Sequence, residues 1–61
     1  MTAQEVFTAI GKSCEVECYN IVYLVNNYKM EEAVSEIQRC FDCDKKAAEE
    51  VACMIKAKLR K

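Results

Sequence analysis

The sequence has 61 residues, which is room for one small domain, and we predict a single domain over residues 1–61. Nine Lys and Arg oppose ten Asp and Glu, and a formal charge of −1 excludes a polycation. A hydrophobic content of 52% excludes a disordered segment of low hydrophobicity. The chain contains no His, which excludes a His-ligated metal and a catalytic triad built on His.

Five cysteines are a high density for so short a chain. Below about 70–80 residues one hydrophobic core seldom suffices, and small domains often add a disulfide, a metal or a partner chain. Residues 1–5 are polar and unlike a secretory signal, and the apolar run 21–25 is far shorter than the roughly 20 residues of a membrane span. We therefore expect a cytoplasmic protein without membrane contact, in which thiols stay reduced.

Taken in chain order, the first element is a long amphipathic stretch with helical periodicity. Thr2 and Glu5 have the spacing of a capping box, which predicts a helix start. Val16, Glu17 and Val22 depart from the pattern. The residues of its apolar face are Ala3, Val6, Phe7, Ile10, Cys14, Cys18, Ile21, Leu24, Val25 and Tyr28.

A strand at about 16–25 is the alternative for the later part of this stretch. Apolar and polar residues partly alternate there, and residues 21–25 are rich in types that favour strands. A lone strand leaves its backbone groups unpaired, so it would need a second strand from this chain or another. This alternative predicts an α+β fold, with the strand followed by a helical hairpin.

Two further amphipathic stretches complete the predicted fold. The second stretch has its apolar face at Met30, Ala33, Val34, Ile37, Cys40 and Phe41. The third has its apolar face at Ala48, Val51, Ala52, Ile55 and Leu59. Asp44 is a suitable N-cap for the third helix. Short breaks at 26–29 and 41–44 favour antiparallel packing, so we predict an all-α fold in which a helical hairpin is joined by a third helix.

The predicted helix lengths do not match. At about 1.5 Å per residue the first helix would be roughly 40 Å long and the second roughly 18 Å, so the hairpin cannot cover the first helix fully. Either the chain breaks near residues 11–13 and folds back, or the uncovered residues contact another chain. The sequence therefore predicts an interface at Ala3, Val6, Phe7 and Ile10, with a homodimer or another protein as partner.

The cysteines form two pairs, one with three intervening residues and one with two. In an antiparallel hairpin that turns near residue 28, Cys14 faces Cys43 and Cys18 faces Cys40, so all four thiols would meet. They could be plain core thiols, a zinc site, an iron–sulfur site, or the disulfides Cys14–Cys43 and Cys18–Cys40. The disulfide pattern resembles the twin cysteine-pair hairpins of the mitochondrial intermembrane space. Cys53 lies on the polar face of the third helix without a predicted partner.

A second resemblance concerns residues 24–55. Leu24 to Tyr28, Met30, Phe41, Asp44 and Ala48 are similar to the start of the Clp-protease adaptors that bind N-degrons. The resemblance implies a strand before the helical hairpin and a pocket with Asn26 as the amino-group ligand. It also implies Met30 as gatekeeper, with Ala52 and Ile55 lining the pocket. Asn27 and Lys56 depart from that family, which has an acidic ligand and a His there.

The charge distribution and the absence of catalytic motifs lead to the functional prediction. Residues 45–61 carry six basic and two acidic residues, but Glu49 and Glu50 interrupt the basic surface, and we expect no nucleic-acid partner. A single glycine excludes a glycine-rich phosphate loop. We predict no catalytic residues and no enzymatic activity, but a small helical protein-interaction module that self-associates. The alternative is a helical hairpin that binds zinc through Cys14, Cys18, Cys40 and Cys43.

Overall fold

The computed structural model describes residues 1–13 and 16–59, and it contains four helices over those ranges. These are α1 (Ala3–Lys12), α2 (Val16–Asn26), α3 (Met30–Cys40) and α4 (Lys45–Leu59). The described residues contain no strand, so the prediction of an all-α fold is confirmed. The strand predicted at 16–25 is wrong because those residues form α2, and the adaptor-like arrangement that requires this strand is wrong with it.

The prediction of three helices is corrected to four, because the first stretch is not one helix. α1 ends at Lys12, and Ser13 has an extended backbone with φ −83° and ψ 146°. The Ser13 N–H donates to the Ile10 carbonyl over 3.3 Å, which closes the last turn of α1. The chain therefore breaks near residues 11–13, as one of the two sequence alternatives requires.

Local hydrogen bonds fix both predicted helix starts. The Glu5 N–H donates to Thr2 Oγ1 over 3.2 Å, and the Thr2 N–H donates to a Glu5 carboxylate oxygen over 2.8 Å. This reciprocal pair is the predicted capping box of α1. At the start of α4 the Ala47 N–H donates to the Asp44 carboxylate over 2.8 Å, so Asp44 caps α4 as predicted.

One apolar core joins all four helices. α3 packs against α2 and α4, and α4 also packs against α1 and α2. The buried residues come from every helix, and they are Val6, Ile10, Cys18, Ile21, Val25, Ala33, Val34, Ile37, Ala48, Val51, Ala52 and Ile55. α4 therefore covers the apolar stripe of α1 that a single long first helix would have left bare.

The structure places the residues of the predicted interface, Ala3, Val6, Phe7 and Ile10, against the core of this chain. Val6 and Ile10 are buried inside this chain, and Ala3 and Phe7 are half-buried against the core. Lys58 of α4 extends over the Phe7 ring, with its ammonium nitrogen 5.8 Å from the ring centroid. The stripe is therefore a core-facing surface.

Candidate protein-binding face

The predicted four-cysteine site is only partly located. Cys18 is buried on α2, while Cys40 and Cys43 are half-buried at and just after the end of α3. Cys14 lies outside the described residues. Cys18, Cys40, Cys43 and Cys53 are free thiols, so no disulfide joins the cysteines that the structure describes. Within residues 1–13 and 16–59 no three metal-ligating side chains come together.

Two of these thiols have altered acidity. Burial raises the pKa of Cys40, while the Arg39 guanidinium opposes the increase. Burial also raises the pKa of Cys43, while the N-terminal ammonium opposes the increase. The Met1 ammonium lies at this corner and donates to the Asp42 carbonyl over 2.7 Å. A raised pKa leaves less thiolate at neutral pH, and the thiolate is the form that binds metal.

The side of α2 that points away from the core carries three large exposed hydrophobic residues. Val16, Tyr19 and Tyr23 are 78%, 63% and 62% exposed, and we call these three residues the α2 outer face. The core side of the same helix carries Cys18 and Ile21. α2 is therefore apolar on both sides, and a helix of this kind is ordinarily buried on both sides.

The sequence contains a signal for this face among the residues that depart from the single predicted stripe. Val16 departs from the single predicted stripe because it lies on the opposite side of the helix from Cys18 and Ile21. Its spacing to Tyr19 and Tyr23 is three and then four residues, which forms a second stripe along the same helix. Two stripes on one helix predict two packing surfaces.

An acidic cleft borders the α2 outer face on the α3 side. Its lining comes from α2 and α3, and consists of Asn20, Leu24, Glu31, Glu32, Ser35 and Glu36. Arg39 donates to Glu36 over 2.7 and 3.2 Å, and this contact lowers the Glu36 pKa, with a smaller contribution from the Asn20 amide. We call this border the acidic flank.

An apolar groove with a basic rim borders the α2 outer face on the opposite side. The groove lies between α1, α2 and α4, and its lining includes Phe7, Ile10, Tyr19, Val22, Lys58 and Leu59. Lys58 is exposed and provides the charge of this border. Beyond the C-terminal end of α2, Lys56 lies over the exposed ring of Tyr28, 5.6 Å from its centroid. We call the side with Lys56 and Lys58 the basic flank.

The chain was compared with known proteins by sequence and by structure. No protein-family model, no curated protein and no solved structure matches it. None of the described helices has the length and apolar character needed to cross a bilayer. Its function therefore has to be inferred from the residues and geometry of this chain alone.

Proposed function

We propose that this protein is a small, non-enzymatic protein-interaction module and that the α2 outer face is its binding surface. The observation that supports this most directly is the exposure of Val16, Tyr19 and Tyr23 on one side of a helix whose other side forms the core. Burying such a face removes apolar area from water at roughly 25 cal/mol per Å². This gain is available only through contact with another surface.

The residue types of the surface support the same proposal. All three tyrosines of the sequence, Tyr19, Tyr23 and Tyr28, are more than 60% exposed. Tyrosine is enriched in the cores of protein interfaces because its ring supplies contact area and its hydroxyl supplies a hydrogen bond. Asn20 is a neutral neighbour that can exchange hydrogen bonds with a partner, and Glu17 is the one charged residue of α2.

Photochemical cross-linking in cells tests this proposal for a partner of any identity. A photoreactive phenylalanine analogue replaces Tyr23, and the matched control carries it at Glu49, which is exposed in the groove between α3 and α4. We expect discrete adducts of defined mass from position 23 and their loss when Tyr19→Ser is added. Equal adducts from both positions, or none from position 23, contradict the proposal.

A zinc-binding module is the second candidate, and one observation favours it. Cys18 of α2 and Cys40 of α3 lie on helices that pack against one another, and Cys43 follows three residues after Cys40. We propose that zinc, where it binds, uses these thiols together with Cys14. Native mass spectrometry of protein purified without chelator tests this, with Cys40→Ser as the variant and Cys53→Ser as the control. A zinc-sized mass increment lost only in Cys40→Ser supports the site, and an apo mass throughout rejects it.

A further inference from the structure

We propose that the partner of the α2 outer face is a second copy of this chain, with the two α2 helices side by side and parallel around a two-fold axis. This inference rests on the proposed function, because it uses the same surface. Three features lead to it: the opposite charges of the two flanks, their common level along α2, and the spacing of the exposed apolar residues.

The flanks have opposite net charge on opposite sides of one helix. Glu31, Glu32 and Glu36 lie on the side of Asn20 and Leu24. Lys29 contacts Glu32 over 3.9 Å and Arg39 contacts Glu36 over 2.7 Å, so three carboxylates outnumber two cations on this side. Lys58 lies on the side of Tyr19 and Val22. A surface that is acidic on one side and basic on the other is electrostatically complementary to a copy of itself in a suitable orientation.

The symmetry of the pair decides which flanks meet. A two-fold axis parallel to α2 brings the acidic flank of each copy to the basic flank of the other, twice. A two-fold axis perpendicular to α2 makes the helices antiparallel and brings acidic flank to acidic flank. Like charges face to face oppose association, so the charges of this chain favour the parallel arrangement.

The charges also occur at matching levels, which a parallel pair requires. Glu36 and Asn20 line the same cleft between α2 and α3. Lys58 shares a groove with Cys18 and Tyr19, the residues just before Asn20. In a parallel pair, each level along α2 lies beside the same level of the other copy's α2. Glu36 of one copy therefore lies close to the level of Lys58 of the other copy.

The exposed apolar residues have the spacing of a short parallel seam. Val16, Tyr19 and Tyr23 are separated by three and four residues, as are successive core positions of a heptad. In a parallel pair each tyrosine meets its own equivalent, which gives two aromatic contacts across the axis. The next seam position, Asn26, is polar and exposed, so it can form a hydrogen bond to its equivalent.

Sedimentation equilibrium of the purified full chain tests the inference through charge reversal. The variants are Lys58→Glu and Glu32→Lys. Glu32 is used because its side chain is 64% exposed and its contact with Lys29 is long, at 3.9 Å, whereas Glu36 accepts two hydrogen bonds from Arg39. We expect the wild type to dimerise with rising concentration, and each single reversal to weaken the dimer by about tenfold. The double variant Glu32→Lys/Lys58→Glu should recover most of the lost affinity, because positions 32 and 58 again carry opposite charges across the interface.

Matched controls and contrary outcomes keep the test decisive. Glu49→Lys and Lys45→Glu make the same charge changes in the groove between α3 and α4, and should leave the dimer unchanged. A Glu32→Lys variant that tightens the dimer indicates contact between acidic flanks and overturns the parallel arrangement. A purified chain that stays monomeric while position 23 cross-links to another protein in cells overturns the second copy and leaves the proposed function standing. A monomer without any cross-link overturns both.

Discussion

The backbone N–H of Lys29 donates to the carbonyl of Leu24 over 2.9 Å and closes the C-terminal end of α2. The Tyr28 N–H donates to the Val25 carbonyl over 3.1 Å, and the two bonds together form a Schellman motif. The motif requires a left-handed residue between α2 and Lys29. Tyr28 takes that conformation with φ 61°, and in the part of the chain that the structure describes it is the only non-glycine residue with positive φ.

We predict that Tyr28→Gly stabilises the fold. A left-handed conformation costs an L-residue about 1–2 kcal/mol, and glycine adopts it without a Cβ clash. The substitution also removes the Lys56 contact to the ring, which is worth about 0.5–1 kcal/mol at an exposed site. The balance is a gain of roughly 0.5 kcal/mol in the free energy of unfolding, measured by urea denaturation.

Asn27→Gly is the control for this substitution, since it adds a glycine at the neighbouring position. Asn27 donates a side-chain hydrogen bond to the Tyr23 carbonyl over 2.8 Å, and its φ is not positive. The control should therefore lose stability. Equal effects of the two glycines would contradict the role assigned to the left-handed conformation.

Gly11 lies inside α1 and offers a second route to greater stability. Its φ is not positive, and a Cβ built on its backbone meets nothing within 4 Å. Alanine should therefore fit without strain and restrict the unfolded chain, with a gain of about 0.5–1 kcal/mol in the free energy of unfolding. Thermal and urea denaturation measure it, with Gly11→Pro as the destabilising counterpart. An unchanged or lowered stability for Gly11→Ala would show that α1 does not form as described.

The pattern of the sequence predicted most of the fold because helix caps and apolar periodicity are local. Thr2, Glu5 and Asp44 mark two of the helix starts, and α3 and α4 coincide closely with the predicted stretches. The break near Ser13 was one of two alternatives, since no proline or strong turn motif marks it. Packing of α4 on α1 makes the break favourable, and such long-range contact is invisible to periodicity.

The candidate site was harder to predict, because the first interface hypothesis depended on which apolar residues stayed uncovered. In a single long first helix, Val6 and Ile10 would lie on an apolar stripe that no other helix covers. Because the chain breaks after α1 and folds back, both residues are buried. Val16 departs from the amphipathic pattern of a longer helix, and Tyr19 and Tyr23 are not part of its apolar stripe. Once α2 is a separate helix, the same residues form a coherent second face.

The described cysteines should react with iodoacetamide in an order set by exposure and acidity. Cys53 is exposed and should be alkylated first, while Cys40 and Cys43 are half-buried with raised pKa values and should follow. Cys18 is buried in the core and should react last. Timed quenching and peptide mass spectrometry give the order, and unfolding in urea should abolish it. Labelling of Cys18 as fast as Cys53 would contradict the packing of α2 on the core.

Acid should destabilise the fold through two exposed carboxylates with local hydrogen bonds. The backbone N–H and side chain of Thr2 lower the pKa of Glu5 below its ordinary value of 4.5, and the Arg39 guanidinium lowers that of Glu36. The unfolded chain therefore binds protons at these two carboxylates more readily than the folded chain does. The stability that Glu5 and Glu36 contribute is present above pH 4.5, and it is lost as the pH falls through their lowered pKa values. We expect the wild type to lose more stability between about pH 6 and about pH 3 than Glu5→Gln/Glu36→Gln does, as measured by urea denaturation.

Glu50→Gln is the control that keeps both hydrogen-bonded carboxylates, and it should follow the wild type. Salt at about 1 M should reduce the difference for Glu36 because it screens the ion pair with Arg39. A double variant as sensitive to acid as the wild type would show that these contacts do not persist in solution.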